Sequence, residues 1–575
     1  MNAKICRIKN NKIWVILAAI VLFVLPILRI RYGVDITDTG YSYGNFENFS
    51  SMEGMWVIAT YLANVVGHFF TLLPFGHTML GMNFYTGLVI SAILLFSFFF
   101  LRKIFPTWIV FIGELLAFFL CWCPSAILYN YLTYLFMTIA LAYIYHGLIH
   151  NKKWYLVVAG IFLGMNVFVR IPNLVEMGFI LAIWYDAFSQ KKGWKTGIIH
   201  TFLCIAGYLI GIGSLMFVII FQYGWLQLKG MINSLVDVGN EISGYGPLSM
   251  VKHIALDYFQ HLRFLWIAVL CLFLVQVLYS KFKNRLMQII ICIIGGGIFA
   301  GVFYFYYRMK LFSYNQYNDY TSIFFWAMMF LVISITVDVA FLVRKDSSRE
   351  SKLLAMFSLL ILILTPLGSN NSVYPNFNNL FIVAPVTFYG LYCFVFQKKN
   401  RKKLLPLQVS LFAVLLILMV QCCMFKIIFT FRDAGLTKEL NTIITKNEVT
   451  KGMVTTKEQA EMIADLTAYI QAENLQERKV VIFGYAPGIS YFLHMQPAIS
   501  STWPDLDSYS KEEFTSSLSQ ADNPLVFIYL KKYPDVVSYR GNTGDEKAAI
   551  MANYLLMQQY EVIYQDDNFE IYDMR

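Results

Sequence analysis

Charge is scarce in this chain: 14% of its 575 residues are Asp, Glu, Lys or Arg, against 58% hydrophobic and 17% aromatic residues. Soluble domains carry about 25% charged residues, so a soluble globular protein is excluded. Acids are the scarcer sign, 35 against 45 bases, for a net charge of +10. The bases stand in short clusters between apolar runs rather than along an aromatic-interleaved stripe, which excludes nucleic acid as a partner. The nine cysteines lie in the N-terminal tail or in apolar runs, so the polar segments have no disulfide framework. The turn Gly484-Tyr-Ala-Pro-Gly488 has neither G-x-G-x-x-G spacing nor a Walker lysine and reads as a structural turn, not a phosphate loop. No small-x-small cleavage site follows the first apolar run, which reads as an uncleaved signal anchor.

What the chain has is apolar length. Thirteen stretches approach the 17–25 residues that cross about 30 Å of hydrocarbon: 13–30, 79–101, 107–124, 129–149, 154–170, 174–188, 197–221, 264–280, 286–306, 321–343, 353–367, 379–396 and 407–430. With the basic tail (Lys4, Arg7, Lys9, Lys12) inside, the later basic clusters, from Arg102/Lys103 to Lys398–Lys403, fall on the inner side, as the positive-inside rule requires. The expectation is a polytopic α-helical protein of the bacterial cytoplasmic membrane, with first outer loop 31–78, long outer loop 222–263 and everything after 430 outside. A span at 56–78 would invert every later loop, so that stretch reads as an interfacial or re-entrant helix. Residues 431–575 change composition and alternate helix and strand patterns, predicting a small outer α/β domain on the 1–430 membrane module.

The first outer loop opens with Asp35-x-x-Asp38-x-Gly40-Tyr41, and the fifth stretch ends in Arg170-Ile-Pro-Asn173. Acids beside hydrocarbon cost desolvation energy and so mark sites. A basic tail, one span, an acidic Gly-Tyr loop, about a dozen more spans and an outer domain together resemble the GT-C superfamily of membrane glycosyltransferases, which use polyprenyl-phosphate-linked sugars. The D-x-x-D spacing differs from the D-x-D or E-x-D form frequent there, leaving the choice between Asp35 and Asp38 open. The resemblance implies a lipid-linked sugar donor, an outer cell-envelope glycan, lipid or protein as acceptor, and a C-terminal domain that covers the cleft and helps choose the acceptor. It leaves Mg²⁺ or Mn²⁺ use undecided, because members of the group differ.

Sugar transfer needs a base for the acceptor and positive charge for the departing phosphate. Asp35 is the first choice of base; Asp38 would orient it, share a metal or cap the next turn. Arg308 and Lys310, set among tyrosines, are the first phosphate candidates and Arg170 the next, while Arg29 and Arg31 read as anchors of the first span. Tyr41 and the Asn-rich loop with Asn370 and Asn371 are candidates for sugar contacts. His253, Asp257 and His261 recur every fourth residue, but the outer two lie about 12 Å apart along a helix, too far to share one metal. Three Gly-x-x-x-Gly pairs, Gly160/Gly164, Gly207/Gly211 and Gly297/Gly301, read as packing faces within the chain. A lipid-linked-oligosaccharide flippase or other transporter, and a polysaccharide polymerase, are the alternatives.

Overall fold

The computed structural model describes residues 12–241, 247–312, 317, 319–368, 371–397, 403–431, 433, 435–436 and 439–574; Lys4, Arg7, Lys9 and Asn370 lie outside them. Among the described residues nine helices are long and apolar enough to cross a membrane, and Lys12–Ile27, Thr107–Leu120, Trp154–Val169 and Val383–Phe396 are shorter apolar helices. By length and composition this is a multi-pass membrane protein. Each of the thirteen expected stretches falls on one of these helices.

Two loop expectations change. The 222–263 loop is mostly helix, with Trp225–Glu241 followed by Pro247–Lys281. Its amphipathic part and the next apolar stretch propagate as one 35-residue helix because no Gly or Pro interrupts them after Pro247. The 56–78 stretch forms Met55–Ala59 and Tyr61–Thr71, broken at Thr60; neither is long enough to span.

Glycine decides how closely two helices approach. A Cβ on Gly160 or Gly164 would meet the Cys204 or Tyr208 carbonyl oxygen at 2.0 or 2.2 Å, and one on Gly207 or Gly211 the Val157 or Ile161 oxygen at 2.0 or 2.4 Å. Helices Trp154–Val169 and Trp194–Tyr223 therefore pack backbone to backbone. A Cβ on Gly297 or Gly301 would meet nothing within 4 Å among the described residues, so the third pair makes no such contact there. At one end of the bundle Arg349 grips the buried Asp186 with two bonds of 2.7 and 2.9 Å, and Lys192 adds a third contact at 3.1 Å. That arrangement satisfies an acid that is 2% exposed.

Beyond residue 429 the chain forms a four-stranded sheet. Its strands β1 (Val480–Phe483), β2 (Leu525–Tyr529), β3 (Tyr560–Gln565) and β4 (Phe569–Met574) lie in the order β1-β2-β4-β3. The β1–β2 pair is parallel and the other pairs antiparallel. Every residue of β1 is buried, as expected for a strand covered on both faces. Helices Lys457–Ala472, Lys511–Gln520 and Glu546–Met557 accompany the sheet.

Replacing Gly164 by Val is expected to destabilise the bundle by about 1–3 kcal/mol or more, while Gly301→Val leaves the melting temperature in detergent unchanged. Thermal unfolding of the two variants side by side tests the assignment.

Candidate active site

The acidic loop is held from two directions. Pro26 closes the first apolar helix, and the chain then runs past the C-terminal domain. Val454 N–H donates to the Arg31 carbonyl at 2.8 Å and Gly33 N–H to the Val454 carbonyl at 2.9 Å. Val34 N–H donates to Asp433 Oδ2 at 2.7 Å, and Gln459 Nε2 donates to the Val34 carbonyl. Gly488 N–H donates to the Ile36 carbonyl at 2.8 Å. From the membrane side, Asn83 Nδ2 donates to the Ile30 carbonyl at 2.6 Å and Tyr43 Oη to Asn83 Oδ1 at 2.6 Å.

The loop then enters the first-loop helix, Asp38–Glu47, which lies against Gly488–Phe492. A Cβ on Gly40 would sit 2.2 Å from the Gly488 Cα. Both glycines of the contact are therefore required, and the turn Gly484–Gly488 is the seat of the first-loop helix. Gly484 has φ +114° and a Cβ there would meet Tyr529, so it too is confined to glycine.

The two acids have different environments. Asp35 is 3% exposed. Its Oδ1 accepts from Thr37 N–H at 2.9 Å and Thr37 Oγ1 at 2.6 Å, and its Oδ2 from Thr39 N–H at 2.8 Å. It caps the turn into the helix. Burial pushes its carboxyl up, against the opposing pull of the Thr37 and Thr39 donors. The neighbouring Asp433 is pushed up to about 6, mainly by burial, with the Asp35 charge adding to it. Asp38 is half-buried at the first turn of the helix and lies within electrostatic reach of Tyr41, Cys123 and Tyr129. Arg170 completes that group: its guanidinium carbon is 5.6 Å from the Tyr129 ring centre, and it donates to the Gly368 carbonyl at 2.9 Å. On the other flank Tyr41 meets Trp503 edge-on at 5.6 Å, and Trp503 meets Tyr485 at 5.8 Å.

A cavity of about 350 Å³ opens beside this loop, between the end of the first helix, the segment after Thr107–Leu120 and the end of Leu405–Ile428. Asp35, Thr39, Arg29, Lys426 and Cys123 are in its wall, which is mostly apolar. Arg29 donates to the Lys426 carbonyl at 2.7 Å and to the Ile427 carbonyl. Lys426 Nζ donates to the Cys121 carbonyl at 2.5 Å and lies 4.8 Å over the Phe118 ring.

Asp38, Tyr41 and Arg170 gather around Tyr129 close to Asp35, but of the four only Asp35 is in the cavity wall. Arg308 and Lys310 are not in the cavity wall: they are exposed at the end of Arg285–Arg308, a helix that packs chiefly on Pro247–Lys281. Asn371 is outside that wall as well. The cations that are in it, Arg29 and Lys426, read in the sequence as a span anchor and as the tail of a span. Their signal was position, one turn or less from the apolar boundary on the side of the acidic loop. Among the described residues no three His, Cys, Asp or Glu side chains gather to hold a metal ion, and both oxygens of Asp35 are already engaged, so this donor set does not fit a dedicated divalent site.

No protein-family model matches the chain, and no curated protein matches it. Among solved structures it is similar to the oligosaccharyltransferase of Archaeoglobus fulgidus in complex with zinc and sulfate (12% identity, TM-score 0.47, covering 98% of this chain and 72% of that one). It is also similar to ArnT of Cupriavidus metallidurans bound to undecaprenyl phosphate (11% identity, TM-score 0.41, covering 98% of each chain). Both are GT-C proteins, the group the sequence layout resembles. At these values the likeness assigns no substrate or residue role to this chain.

Asp35→Ala leaves two buried N–H groups without their acceptor, at about 1–3 kcal/mol each. Its expected result is a lower melting temperature and faster proteolysis of the 31–47 segment. A second outcome concerns His494, whose Nδ1 is 2.6 Å from Glu47 Oε1 across the contact between the C-terminal domain and the first-loop helix. The Glu47 hydrogen bond raises His494 above its ordinary value, outweighing burial. Its stabilisation is therefore fully present below about pH 6.5 and is lost as pH rises through the raised folded value. Melting curves from pH 6 to 9 should show that slope in the wild type and a flatter one in His494→Gln.

Proposed function

We propose that this chain is an integral-membrane glycosyltransferase that moves a sugar from a polyprenyl-phosphate carrier to an acceptor on the face bearing residues 431–575. The membrane is the bacterial cytoplasmic membrane, with the N-terminus inside and the C-terminal domain outside. The observation that carries the reading is the mostly apolar cavity whose wall brings together the acidic loop and two cations, Arg29 and Lys426. An amphiphile with a phosphate head and an apolar tail fits that division of surface.

In this reading the base is Asp38 rather than Asp35. Asp35 holds three donors and positions the loop; Asp38 lies within electrostatic reach of Tyr41 and Tyr129 and is next in sequence to Thr39, which is in the cavity wall. The acceptor O–H or N–H gives its proton to Asp38 as its heteroatom attacks the anomeric carbon. The bond from that carbon to the phosphate oxygen breaks, and the electron pair leaves with the polyprenyl phosphate, whose charge Arg29 and Lys426 hold. No step runs through a metal. Tyr41, Trp503 and Tyr485 offer ring faces and edges to the sugar or acceptor, which would make the C-terminal domain part of the cleft.

A flippase for lipid-linked sugars is the second reading. It is favoured by Glu114, fully buried in the apolar helix Thr107–Leu120 with neither oxygen partnered among the described residues, since acids inside a membrane commonly mark transport paths.

The test is sugar transfer from radiolabelled polyprenyl-phosphate sugars into envelope acceptors by membranes carrying each variant. Asp38→Asn should lower the rate about 10²–10⁴-fold with folded protein retained. Arg29→Ala and Lys426→Ala should weaken donor use, whereas Arg308→Ala and Lys310→Ala should not. Loss with Asp35→Asn but not Asp38→Asn would return the base to Asp35. No transfer from any donor, with lipid-linked sugar crossing the bilayer and Glu114→Gln stopping it, would establish the flippase instead.

A further inference from the structure

A second cavity of about 700 Å³ shares Ile30 with the first, and its volume is within the about 300–1,000 Å³ range of small-ligand sites. It sits where the helix Met79–Leu101 begins, at the bilayer boundary on the side of the C-terminal domain. One wall is apolar and aromatic: Phe75, Leu80, Phe84 and Tyr85. The polar lining residues are His77, Glu448 and Lys451.

The apolar wall is held in place. Phe75 has φ +61°, an uncommon backbone state for a large side chain and costly unless its surroundings impose it. Thr78 N–H and Thr78 Oγ1 both donate to the Phe75 carbonyl, at 3.0 and 2.8 Å. Tyr85 Oη donates to the Pro74 carbonyl at 2.9 Å. A Cβ on Gly81 would meet the Phe75 oxygen at 2.0 Å, so that glycine is what admits the turn. All of this holds a phenylalanine that remains 73% exposed, beside Leu72, also 73% exposed, and Phe84, 37% exposed on the helix itself. A rigid turn that presents an aromatic ring outward at the mouth of a membrane helix suits the interface between headgroups and acyl chains.

Glu448 and Lys451 belong to the C-terminal domain, whose segment is tied to the same helix. The Val449 carbonyl accepts from Met79 N–H at 2.8 Å, satisfying one of the helix's open donors. The chain then turns through Gly452, at φ +83° and beside Leu80, and reaches Val454, which pairs with Arg31 and Gly33. Whatever fills the cavity therefore touches both the span and the segment that holds the acidic loop.

We infer that this cavity is a site for a zwitterionic aminophospholipid, the phosphodiester received by Lys451 and His77, the primary ammonium by Glu448, and the first acyl carbons by Phe75, Leu80 and Phe84. Charge complementarity selects this occupant: a cation and an imidazole facing an acid match a headgroup that carries both signs, whereas an anionic glycerol headgroup leaves Glu448 opposed. A primary ammonium also donates hydrogen bonds that a choline cannot. The inference does not rest on the glycosyltransferase reading.

The full-length protein, stripped of lipid in detergent, is titrated with dioleoylphosphatidylethanolamine, dioleoylphosphatidylcholine or dioleoylphosphatidylglycerol, and bound lipid is counted by native mass spectrometry. Phosphatidylethanolamine is expected to be retained at one per chain, at least tenfold more tightly than either other lipid. Lys451→Glu and Phe75→Ala should each cut that retention tenfold or more, and Glu448→Gln should narrow the preference over phosphatidylcholine. Equal retention of the three lipids, a preference for phosphatidylglycerol, or a preference that survives Lys451→Glu overturns the inference. Should a variant fail to fold, a photoactivatable phosphatidylethanolamine on the wild type decides: adducts within 74–85 and 448–451 support the site, and adducts confined to other segments overturn it.

Discussion

The backbone of residues 31–40 hangs on the C-terminal domain, and the candidate site depends on that attachment. Four hydrogen bonds run between this ten-residue stretch and the backbone or side chains of Asp433, Val454 and Gln459, a fifth joins it to Gly488, and the Gly40–Gly488 contact lets two backbones touch. A loop beside a membrane has no helix or sheet of its own to satisfy its N–H and C=O groups, and leaving them buried and unpaired would cost more than the loop's few apolar contacts return. Borrowing partners from a folded domain solves this and at the same time fixes where the acids point.

The two aspartates have separate work. Asp35 lies where the loop turns into helix, and its oxygens close that turn against Thr37 and Thr39. Asp38, one helical turn on, lies within electrostatic reach of Tyr41 and Tyr129. Three residues of separation place the two acids at neighbouring positions on the helix entry, and the local donors of Thr37 and Thr39 make Asp35 the cap. The cations divide similarly: Arg29 and Lys426 lie side by side through the Arg29 bonds to the Lys426 and Ile427 carbonyls, although nearly 400 positions separate them.

The membrane portion explains why such a site tolerates charge at all. Lys426 sits on a mostly apolar wall with its ammonium on the Cys121 carbonyl and the Phe118 ring face, two partners that stand in for water. Backbone contact at Gly160/Gly164 and Gly207/Gly211 brings the helix that ends in Arg170 against its neighbour, so a packing motif within the bundle helps set the position of Arg170 against Tyr129.

Apolar length and charge scarcity are local properties, and they sufficed by themselves to mark the apolar helices among the described residues and the change of composition after residue 430. The helix–strand–helix pattern of the C-terminal segment was legible for the same reason, since periodicity needs no partner. Which cations stand near the acidic loop and what the Gly484–Gly488 turn is for were decided only in three dimensions. Each depends on groups hundreds of residues apart, such as Arg29 against Lys426 or Gly40 against Gly488. Burial, hydrogen-bond saturation and the approach of two backbones are properties of pairs, and a sequence read residue by residue does not contain them.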